Sequence, residues 1–489
     1  MAGIGFKMQK LFKEDYFSSR IKAYSFAGLI TAGPWIIVIV TVALIQAIIR
    51  SFTNIPDDTR ELFVISISYS FIFSQVIFGM KQLIVTRYLA DLFYVENFKD
   101  VFPTFIGSTK VVIFLALFLW GIFCVLSPLP LLYKVLLLIL FITLNVIWIL
   151  FTFLTAAKYY QPVALSFLFG GITTIVAIYG SVNLLPFESY SHYFKAFILL
   201  SGFTAGMVVT LYILLYALLI SFPDKGVKNQ FNYLQYYDKY PSLFWNGFLY
   251  NMAIWVCNWV IWFGSGSILL EATFRFHRFY DTAIFWSYLT IIPTMVIFVI
   301  SIETRFYSRY RSFYGYINRG GSLSQIQQAK YQMQRVLKQE MERLLRNQGL
   351  FSFTILLLAP FFISYLLLPK EFLTIFRLTL VGAFSNAMVL VVNLLLLYFE
   401  DRKGALLTVV ILFASNLILS LLFLPFGDGY YGLSFAIGCS LSFAYGSWRL
   451  ISYVSEIDYF AFTGQGVRHK KSRYEIFTKI GRFLNEKFV

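Results

Sequence analysis

Residues 133–155 read YKVLLLILFITLNVIWILFTFLT, and Lys134 is the only charged residue among them. An apolar run of about 20 residues is long enough to cross the hydrocarbon core of a bilayer as a helix. Scanning the chain outward from this run gives twelve such stretches in all. They cover residues 24–49, 62–85, 104–126, 133–155, 162–185, 196–221, 242–266, 281–303, 350–369, 374–399, 404–424 and 430–454. The sequence therefore predicts an all-α polytopic membrane protein of about twelve transmembrane helices.

The composition of the 489 residues points the same way. Hydrophobic residues make up 59% and charged residues 13%, whereas soluble domains have about 45–50% and about 25%. Aromatic residues make up 20%, which suits a protein with two lipid–water interfaces. The three cysteines lie in apolar runs, and the three histidines have no second ligand at helical spacing. We therefore expect no disulfide framework, no metal site and no cofactor.

The positive charges predict the orientation of the chain. With a cytoplasmic N-terminus, 30 lysines and arginines fall on the inner segments and 8 on the outer ones. Because cytoplasmic loops are enriched in these residues, both termini are predicted to be cytoplasmic. The net charge of +16 then reflects lysines and arginines on cytoplasmic loops that face anionic lipid. No nucleic-acid partner is therefore expected.

Local similarity between the two halves indicates a repeat. The second span ends Thr86-Arg87-Tyr88 and the eighth ends Thr304-Arg305-Phe306, an offset of 218. An even number of spans per half gives two six-helix lobes in parallel orientation, a design that flanks a central cavity. The predicted segments are a cytoplasmic N-terminus 1–23, an N-lobe 24–221, a linker 222–241, a C-lobe 242–454 with an insertion 304–349, and a basic cytoplasmic tail 455–489.

The insertion at 304–349 has the pattern of a cytoplasmic amphipathic helix. Apolar residues recur at three- and four-residue steps over 324–347, and Gly349 suits its end. Ser324 and Gln327 fit a capping box at its start. The helix is predicted either to lie on lipid headgroups, helped by its basic side chains, or to dock a cytoplasmic partner. The basic tail is expected to be solvated and to face lipid.

Polar residues inside the spans suggest a pathway for an uncharged solute. No Asp or Glu falls near the centre of a predicted span, so a central carboxylate is not expected to couple transport to an ion gradient. On span 7, a stripe of amides and indoles recurs on one helix face, which would offer hydrogen bonds and flat apolar surfaces to sugar rings. This stripe consists of Asn251, Trp255, Asn258 and Trp262.

A second polar face lies on span 2, and charged groups lie at two helix ends. The span 2 face consists of Ser66, Ser70, Ser74 and Lys81, with Gln75 beside it. The charged groups, predicted to gate the pathway or to hold a partner, are Arg87, Asp91, Glu303, Arg305 and Arg311. The alternatives stay open: polar residues also join helices within a bundle, tryptophans anchor interfaces, and end charges hold helix ends in water.

No catalytic arrangement is found in the sequence. Gly3-Ile4-Gly5 precedes no strand and lacks the spacing of a phosphate-binding loop. Asp57 and Asp58, in the first outer loop, suggest a lipid-linked sugar transferase, but that loop is too short to fold over a substrate. The chain is therefore predicted not to be an enzyme.

Several stretches together resemble the PelG family, the transporters of bacterial Pel exopolysaccharide systems. They are Gly3-Ile4-Gly5-Phe6, Ala23-Tyr24, Gly33-Pro34-Trp35, Thr86-Arg87-Tyr88-Leu89-Ala90-Asp91, Glu303-Thr304-Arg305-Phe306 with Tyr310-Arg311 and Tyr314, and Tyr431-Gly432. The likeness runs from residue 1 to about 455. Lys7 stands where the family pattern has an acid.

The resemblance implies a member of the multidrug/oligosaccharidyl-lipid/polysaccharide flippase group that exports an N-acetylgalactosamine-rich polymer of bacterial biofilms. Its implied partners are the lipid bilayer, the growing polysaccharide, a cytoplasmic family-4-type (PelF-like) glycosyltransferase and PelD-like and PelE-like membrane subunits. Three alternatives remain, namely an ion-coupled multidrug-type antiporter, a lipid-linked oligosaccharide flippase and a purely structural subunit.

Overall fold

The computed structural model describes residues 33–51, 55–157, 159–184, 189–222, 226, 228–366, 368–464 and 475–487. The predicted cytoplasmic segment 1–23, the beginning of span 1 and residues 465–474 of the basic tail lie outside these ranges. The chain forms two compact units. Among the described residues, the N unit contains those within 33–252, 268–276 and 475–487, and the C unit contains those within 253–267 and 277–464.

The N unit is helical apart from one hairpin. Its helices are α1 (Gly33–Ser51), α2 (Asp57–Gly79), α3 (Gln82–Tyr94), α4 (Val101–Leu126), α5 (Leu131–Ala156), α6 (Tyr160–Leu184), α7 (His192–Ser221), α8 (Gln235–Lys239) and the first half of α9 (Pro241–Ile261), with α18 (Ile476–Lys487) at the C-terminus. Its strands are β1 (Ile268–Leu270) and β2 (Phe274–Phe276). This division differs from the predicted lobes, because the hairpin and α18 pack in the N unit although they follow span 7 and span 12 in the chain.

The helices of the N unit pack closely where small residues face each other. Gly170 on α6 and Gly206 on α7 sit so close that a Cβ at either position would overlap the other's carbonyl oxygen and a threonine hydroxyl. Small residues at such crossings let two backbones approach within a membrane, where lipid offers no hydrophobic drive for helices to associate. Phe153, Phe203 and Leu214 are fully buried beside these crossings.

The hairpin, which the sequence analysis did not predict, lies on the N unit. Its strands are antiparallel, with Leu269 opposite Arg275. Arg275 donates its N–H to the Tyr69 hydroxyl of α2 (3.0 Å), and that hydroxyl donates to the Arg275 carbonyl (2.6 Å). Glu271 at the tip bonds the His192 ring (Oε1 to Nε2, 2.9 Å) and the Tyr193 hydroxyl. Side chains of α2 and α7 thus hold a strand pair too short to be stable alone.

The C unit continues the chain with the second half of α9. Its further helices are α10 (Arg278–Leu289), α11 (Ile292–Ile300), α12 (Tyr307–Asn318), α13 (Leu323–Tyr365), α14 (Lys370–Tyr398), α15 (Arg402–Phe423), α16 (Leu433–Ser455) and α17 (Ile457–Gly464). A π-helical turn, Ser301–Phe306, joins α11 to α12. The predicted span 8 is therefore a chain of short helical pieces, α10, α11 and the π turn.

The insertion departs from its prediction in two ways. The capping box is formed by Ser322 and Gln325, two residues before the predicted pair. The helix does not end near Gly349: α13 runs for 43 residues to Tyr365, so the predicted amphipathic helix and span 9 are one element. The end was misplaced because a glycine inside a helix costs only about 1 kcal/mol, which the surrounding packing outweighs.

The apolar face of α13 packs against protein. Met333, Leu337 and Leu344 are buried in one cluster with Phe306, and with residues of α12, α14 and α16. On its flank, Lys330 donates to Asp458 of α17 (2.7 Å). Burial alone would raise the pKa of the Asp458 carboxyl, but the hydrogen bond and positive charge of Lys330, together with backbone N–H groups, hold that pKa below its usual value. This face is therefore not free to lie on lipid headgroups.

The fold class is confirmed. Nine helices of the described chain are long and apolar enough to cross a membrane. The predicted spans 1, 7 and 12 correspond to three further helices, α1, α9 and α16, of 19, 21 and 23 residues. Large apolar side chains are exposed along these helices, as expected of surfaces in contact with lipid; examples are Phe114, Val125, Phe361 and Ile451.

Candidate functional site

The predicted stripe on α9 is divided between the two units. Asn251 belongs to the N unit, where its Nδ2 donates to the Gly247 carbonyl of its own helix (2.9 Å) and it packs against Gly79 of α2. Trp255, Asn258 and Trp262 belong to the C unit. The helical spacing was predicted correctly, but the four side chains do not form one continuous surface within one unit.

A carboxylate on α10 gathers the C-unit part of the stripe. Asp281 accepts from Asn258 Nδ2 (2.8 Å), from Trp262 Nε1 (3.1 Å to Oδ1 and 3.0 Å to Oδ2) and from the His277 backbone N–H (2.9 Å). Three N–H donors therefore hold one partly buried carboxylate. Because an anion bonded by several N–H groups is strongly stabilised, this arrangement fixes the orientation of the amide and the indole.

His277 closes the other side of this group. Its Nδ1 accepts from the Tyr280 N–H (3.1 Å) as the cap of α10, so the neutral ring carries its proton on Nε2. Nε2 lies 3.5 Å from Asp428 Oδ1, and Ser265 donates to the same oxygen (3.1 Å). Gly266 has φ +71°, and a Cβ there would lie 2.9 Å from His277 Nε2. The loop that ends α9 thus needs glycine at this point.

We call Asn258, Trp262, His277, Asp281 and Asp428 the Asp281 cluster. Within the described ranges, no three His, Cys, Asp or Glu side chains are grouped as metal ligands are. The cluster instead contains two carboxylates, Asp281 bonded by amide and indole donors and Asp428 beside the His277 imidazole. Carboxylate, amide and imidazole groups can form hydrogen bonds with the hydroxyls of a ligand, and an indole can pack on a flat apolar ring of that ligand.

The side-chain oxygen of Asn258 is left over in this cluster. Asn258 is 2% exposed, and its Oδ1 has no hydrogen-bond partner among the described residues. Because Nδ2 donates to Asp281, the amide orientation is set, and Oδ1 is an unused acceptor. An unsatisfied buried acceptor costs about 1–3 kcal/mol unless water or a ligand fills it. One helical turn away, the partly exposed ring of Trp255 lies 6.4 Å from that of Tyr288.

The sequence analysis missed Asp281. It placed this residue at the edge of span 8 and expected no acid near the centre of a span. Asp281 does lie in the first turn of α10, where Asn258 and Trp262 of α9 bond its carboxylate. This position does not contradict that expectation, but the sequence analysis did not anticipate a bonded carboxylate beside the stripe. The signal in the sequence was Asp281 itself, four residues after His277.

The break in span 8 is held by a buried amide that the sequence analysis did not single out. Between α10 and α11, the carbonyl of Thr290 accepts from Gln348 Nε2 of α13 (2.7 Å). The same Nε2 lies 3.1 Å from the Ser352 hydroxyl. Thr294 is fully buried, and its hydroxyl has no partner among the described residues. Broken helices with such polar linings are typical of transporter binding regions.

The span 2 face is enclosed in the N unit. Ser66 Oγ lies 2.7 Å from the Tyr133 hydroxyl, and Trp148 Nε1 donates to Ser74 Oγ (3.0 Å). Both partners are on α5. Ser70 donates to the Ser66 carbonyl of its own helix (2.8 Å). Each hydroxyl is therefore used within the bundle, and Gln75 beside them is partly buried. A pathway role for this face stays a prediction.

Lys81 sits in the break between α2 and α3. It is 7% exposed, and its Nζ has no hydrogen-bond partner among the described residues. A cavity of about 10 Å³ beside it is lined by Phe78, Ser108 and Thr152, which is room for about one water molecule. The Lys81 ammonium is therefore enclosed by the N unit.

The charged groups at helix ends are paired, each within its own unit. In the N unit, Arg87 Nε lies 3.5 Å from Asp91, which accepts from the Tyr236 hydroxyl (2.7 Å). In the C unit, Arg305 donates to Glu340 of α13 (2.8 Å), which also accepts from Ser301 Oγ (2.7 Å).

Two further predicted residues are Arg311 and Glu303. Arg311 is exposed on α12, and the side chain of Glu303 lies outside what the structure describes. Glu340, 7% exposed, was not singled out from the sequence. A buried acid four turns into an amphipathic helix has no local signal, because its partner lies 35 residues away.

Comparison with known proteins identifies relatives of the whole chain. The family model PelG, "Putative exopolysaccharide Exporter (EPS-E)", matches residues 1–462. No curated protein matches the sequence at a significant level. Two solved structures are similar in fold. A multidrug resistance MATE family transporter of the MOP superfamily, in an outward-facing conformation, is 12% identical with a TM-score of 0.58, covering 92% of this chain and 98% of its own. The eukaryotic MATE transporter AtDTX14 is 10% identical with a TM-score of 0.58, covering 99% and 100%.

Proposed function

The chain belongs to the PelG family of exopolysaccharide exporters, and from that premise we propose that it carries a Pel-type, N-acetylgalactosamine-rich polysaccharide out of the cytoplasm across the bacterial inner membrane. The family and the fold together identify a multi-pass membrane transporter. We further propose the identity of the polymer, the outward direction of transport and the inner membrane as its location. So does the source of the polymer, a cytoplasmic family-4-type glycosyltransferase that works with PelD-like and PelE-like subunits.

The observation that carries the proposal is the chemistry of the Asp281 cluster beside Trp255. Sugars present hydroxyls that donate and accept hydrogen bonds, and ring faces that are apolar. The unused acceptor of Asn258 and the partly exposed indole of Trp255, one turn apart on α9, suit both properties. The cluster can bind a neutral polymer without a formal charge on the ligand.

The cytoplasmic end of the C unit offers a surface for the polymerase. The apolar side of α13 is buried, but its opposite side is exposed and polar, with Tyr331, Arg335, Lys338 and Glu342 along it. Since the insertion is one rigid element with span 9, a protein bound to this side would be fixed relative to the C unit. We therefore favour the partner-docking hypothesis for 324–347 over attachment to lipid.

A complementation experiment tests the proposed function. A strain that makes the polymer but lacks this protein is supplied with the gene, and extracellular polymer is measured with an N-acetylgalactosamine-specific lectin. We expect secretion to be restored and polymer inside the cell to fall. Normal secretion without the protein would contradict the proposal, as would glycosyl transfer by the purified chain alone, which would make it an enzyme.

An ion-coupled transporter is the second candidate, because Asp281 is an enclosed carboxylate in a fold shared with multidrug transporters. The geometry favours a positioning role, since three N–H donors already occupy its oxygens. Asp281→Asn separates the two. If Asp281 binds a coupling ion, the neutral variant stops gradient-driven transport completely. If it positions Asn258 and Trp262, the variant keeps one carbonyl acceptor and part of the secretion.

A further inference from the structure

The C-terminal helix α18 is docked on the N unit by specific contacts. Asp238 accepts from the Thr478 N–H (2.7 Å) and hydroxyl (2.8 Å) at the start of the helix. Near its end, Asn485 accepts from the Phe231 N–H (2.9 Å). Gly481 is buried between these points, where a Cβ would lie 2.9 Å from the Phe231 carbonyl oxygen. The side of α18 that faces the N unit is therefore occupied by hydrogen bonds and close packing with that unit.

A second side of α18 is apolar, and the described part of the chain does not cover it. Ile476, Ile480 and Phe483 are 56%, 43% and 54% exposed. At 100° per residue these three lie within about 60° of one another, and well away from the docked side. Lys479 and Arg482 are exposed on the polar remainder of the helix. An amphipathic helix with basic residues beside an apolar face is typical of a helix in the membrane interface.

A chain of aromatic rings indicates the depth at which α18 lies. Phe477 stacks on Tyr237 (ring centroids 5.1 Å apart), Tyr237 packs on Phe244 (5.8 Å), and Phe244 on Trp245 (5.0 Å). Trp245 is 48% exposed, one turn into α9. Because exposed tryptophans near the ends of membrane helices mark the lipid–water boundary, α18 sits at the level of that boundary.

We propose that α18 is an interfacial anchor, which inserts Ile476, Ile480 and Phe483 into the leaflet and binds anionic lipid headgroups through its basic side chains. The charge of the segment supports this occupant. Residues 465–489 contain seven lysines and arginines and two glutamates, and an anionic membrane surface attracts each basic side chain. The proposal requires a membrane protein but does not depend on which polymer is exported.

Its test uses the full chain in lipid nanodiscs. An environment-sensitive fluorophore is attached at Ile480→Cys or, as the matched control on the polar side of the same helix, at Arg482→Cys. The nanodiscs contain phosphatidylcholine alone or with phosphatidylglycerol, and the fluorophore is quenched either by brominated lipid or by aqueous iodide. We expect the label at 480 to be quenched by brominated lipid at least about twofold more than the label at 482, with the difference larger when phosphatidylglycerol is present.

Three results would overturn the proposal. One is quenching at 480 by iodide as strong as at 482. Another is equal lipid quenching at 480 in the two lipid mixtures. The last is protection at 480 that appears only when cytoplasmic subunits are added, which would assign the face to a protein. The variant Ile480→Asp with Phe483→Asp keeps the contacts of Asp238 and Asn485, so in nanodiscs containing phosphatidylglycerol we expect faster hydrogen exchange over 476–487 while the rest of the N unit is unchanged.

Discussion

The span 2 face of the N unit and the Asp281 cluster of the C unit have the same kind of sequence pattern and different surroundings. Both patterns place polar residues at helical spacing on one side of a span. In the N unit, Tyr133 and Trp148 of α5 take up the hydroxyls of Ser66 and Ser74. In the C unit, a carboxylate takes up the donors, and an acceptor of Asn258 is left over. The spacing of polar residues along a helix does not distinguish a helix–helix contact from a binding surface. The distinction comes from whether neighbouring helices already satisfy the hydrogen bonds of those residues.

The largest effect is expected from Asp281→Ala. The change leaves the N–H groups of Asn258, Trp262 and His277 without their acceptor, and each unsatisfied buried donor costs about 1–3 kcal/mol. Secretion should fall to the level of a strain without the protein, and the unfolding midpoint of the purified chain in detergent should drop. Asp281→Asn, which keeps an acceptor of the same shape, should lose less on both measurements. Equal losses for the two variants would contradict the positioning role.

A smaller effect on transport is expected from Trp255→Ala combined with Asn258→Ala, which also loses the hydrogen bond from Asn258 to Asp281. Losing an aromatic contact and a hydrogen bond together weakens binding by about 1–3 kcal/mol, so secretion per molecule should fall about fivefold or more. The control is Trp448→Ala, an indole 61% exposed on α16 of the same unit. Lectin-detected polymer is divided by the amount of protein in the membrane. Full secretion by the double variant would show that the polymer does not depend on this surface of the C unit.

In the N unit, Ser74→Ala should affect stability and not transport. The Trp148 indole N–H loses its acceptor inside the bundle, which costs about 1–2 kcal/mol. We expect a lower unfolding midpoint and unchanged secretion per molecule. A variant with normal stability and lost secretion would show that the hydroxyl meets the polymer, and the contrast between the two units would fail.

The smallest effect is expected from Ser70→Ala. This hydroxyl donates to a carbonyl of its own helix, which keeps its backbone hydrogen bond when the hydroxyl is removed. Stability should change by less than about 0.5 kcal/mol. Denaturation of Ser70→Ala beside Ser74→Ala therefore measures, within one helix face, how much the partner on α5 matters.

How far the sequence predicts this molecule follows from the range of the interactions involved. The spans, the stripe on α9 and the helix in the insertion depend on local periodicity, which the composition of a membrane protein makes clear. The continuation of α13 past Gly349 and the hairpin on the N unit depend on packing, which periodicity does not contain. The Asp281 cluster lies between these cases. Trp262 and Asn258 are 19 and 23 residues from Asp281 along the chain. This is too far for a pattern on one helix, but close enough for two consecutive helices to bring them together.

The central claim, that the polymer meets the C-unit stripe and not the span 2 face, has one direct test. The photoreactive residue p-benzoylphenylalanine is placed at Trp255 or, separately, at Ser70, in cells that are secreting. After illumination the purified chain is blotted with an N-acetylgalactosamine-specific lectin. We predict a polymer adduct at position 255 and none at position 70. An adduct at position 70 with none at position 255 would contradict the account.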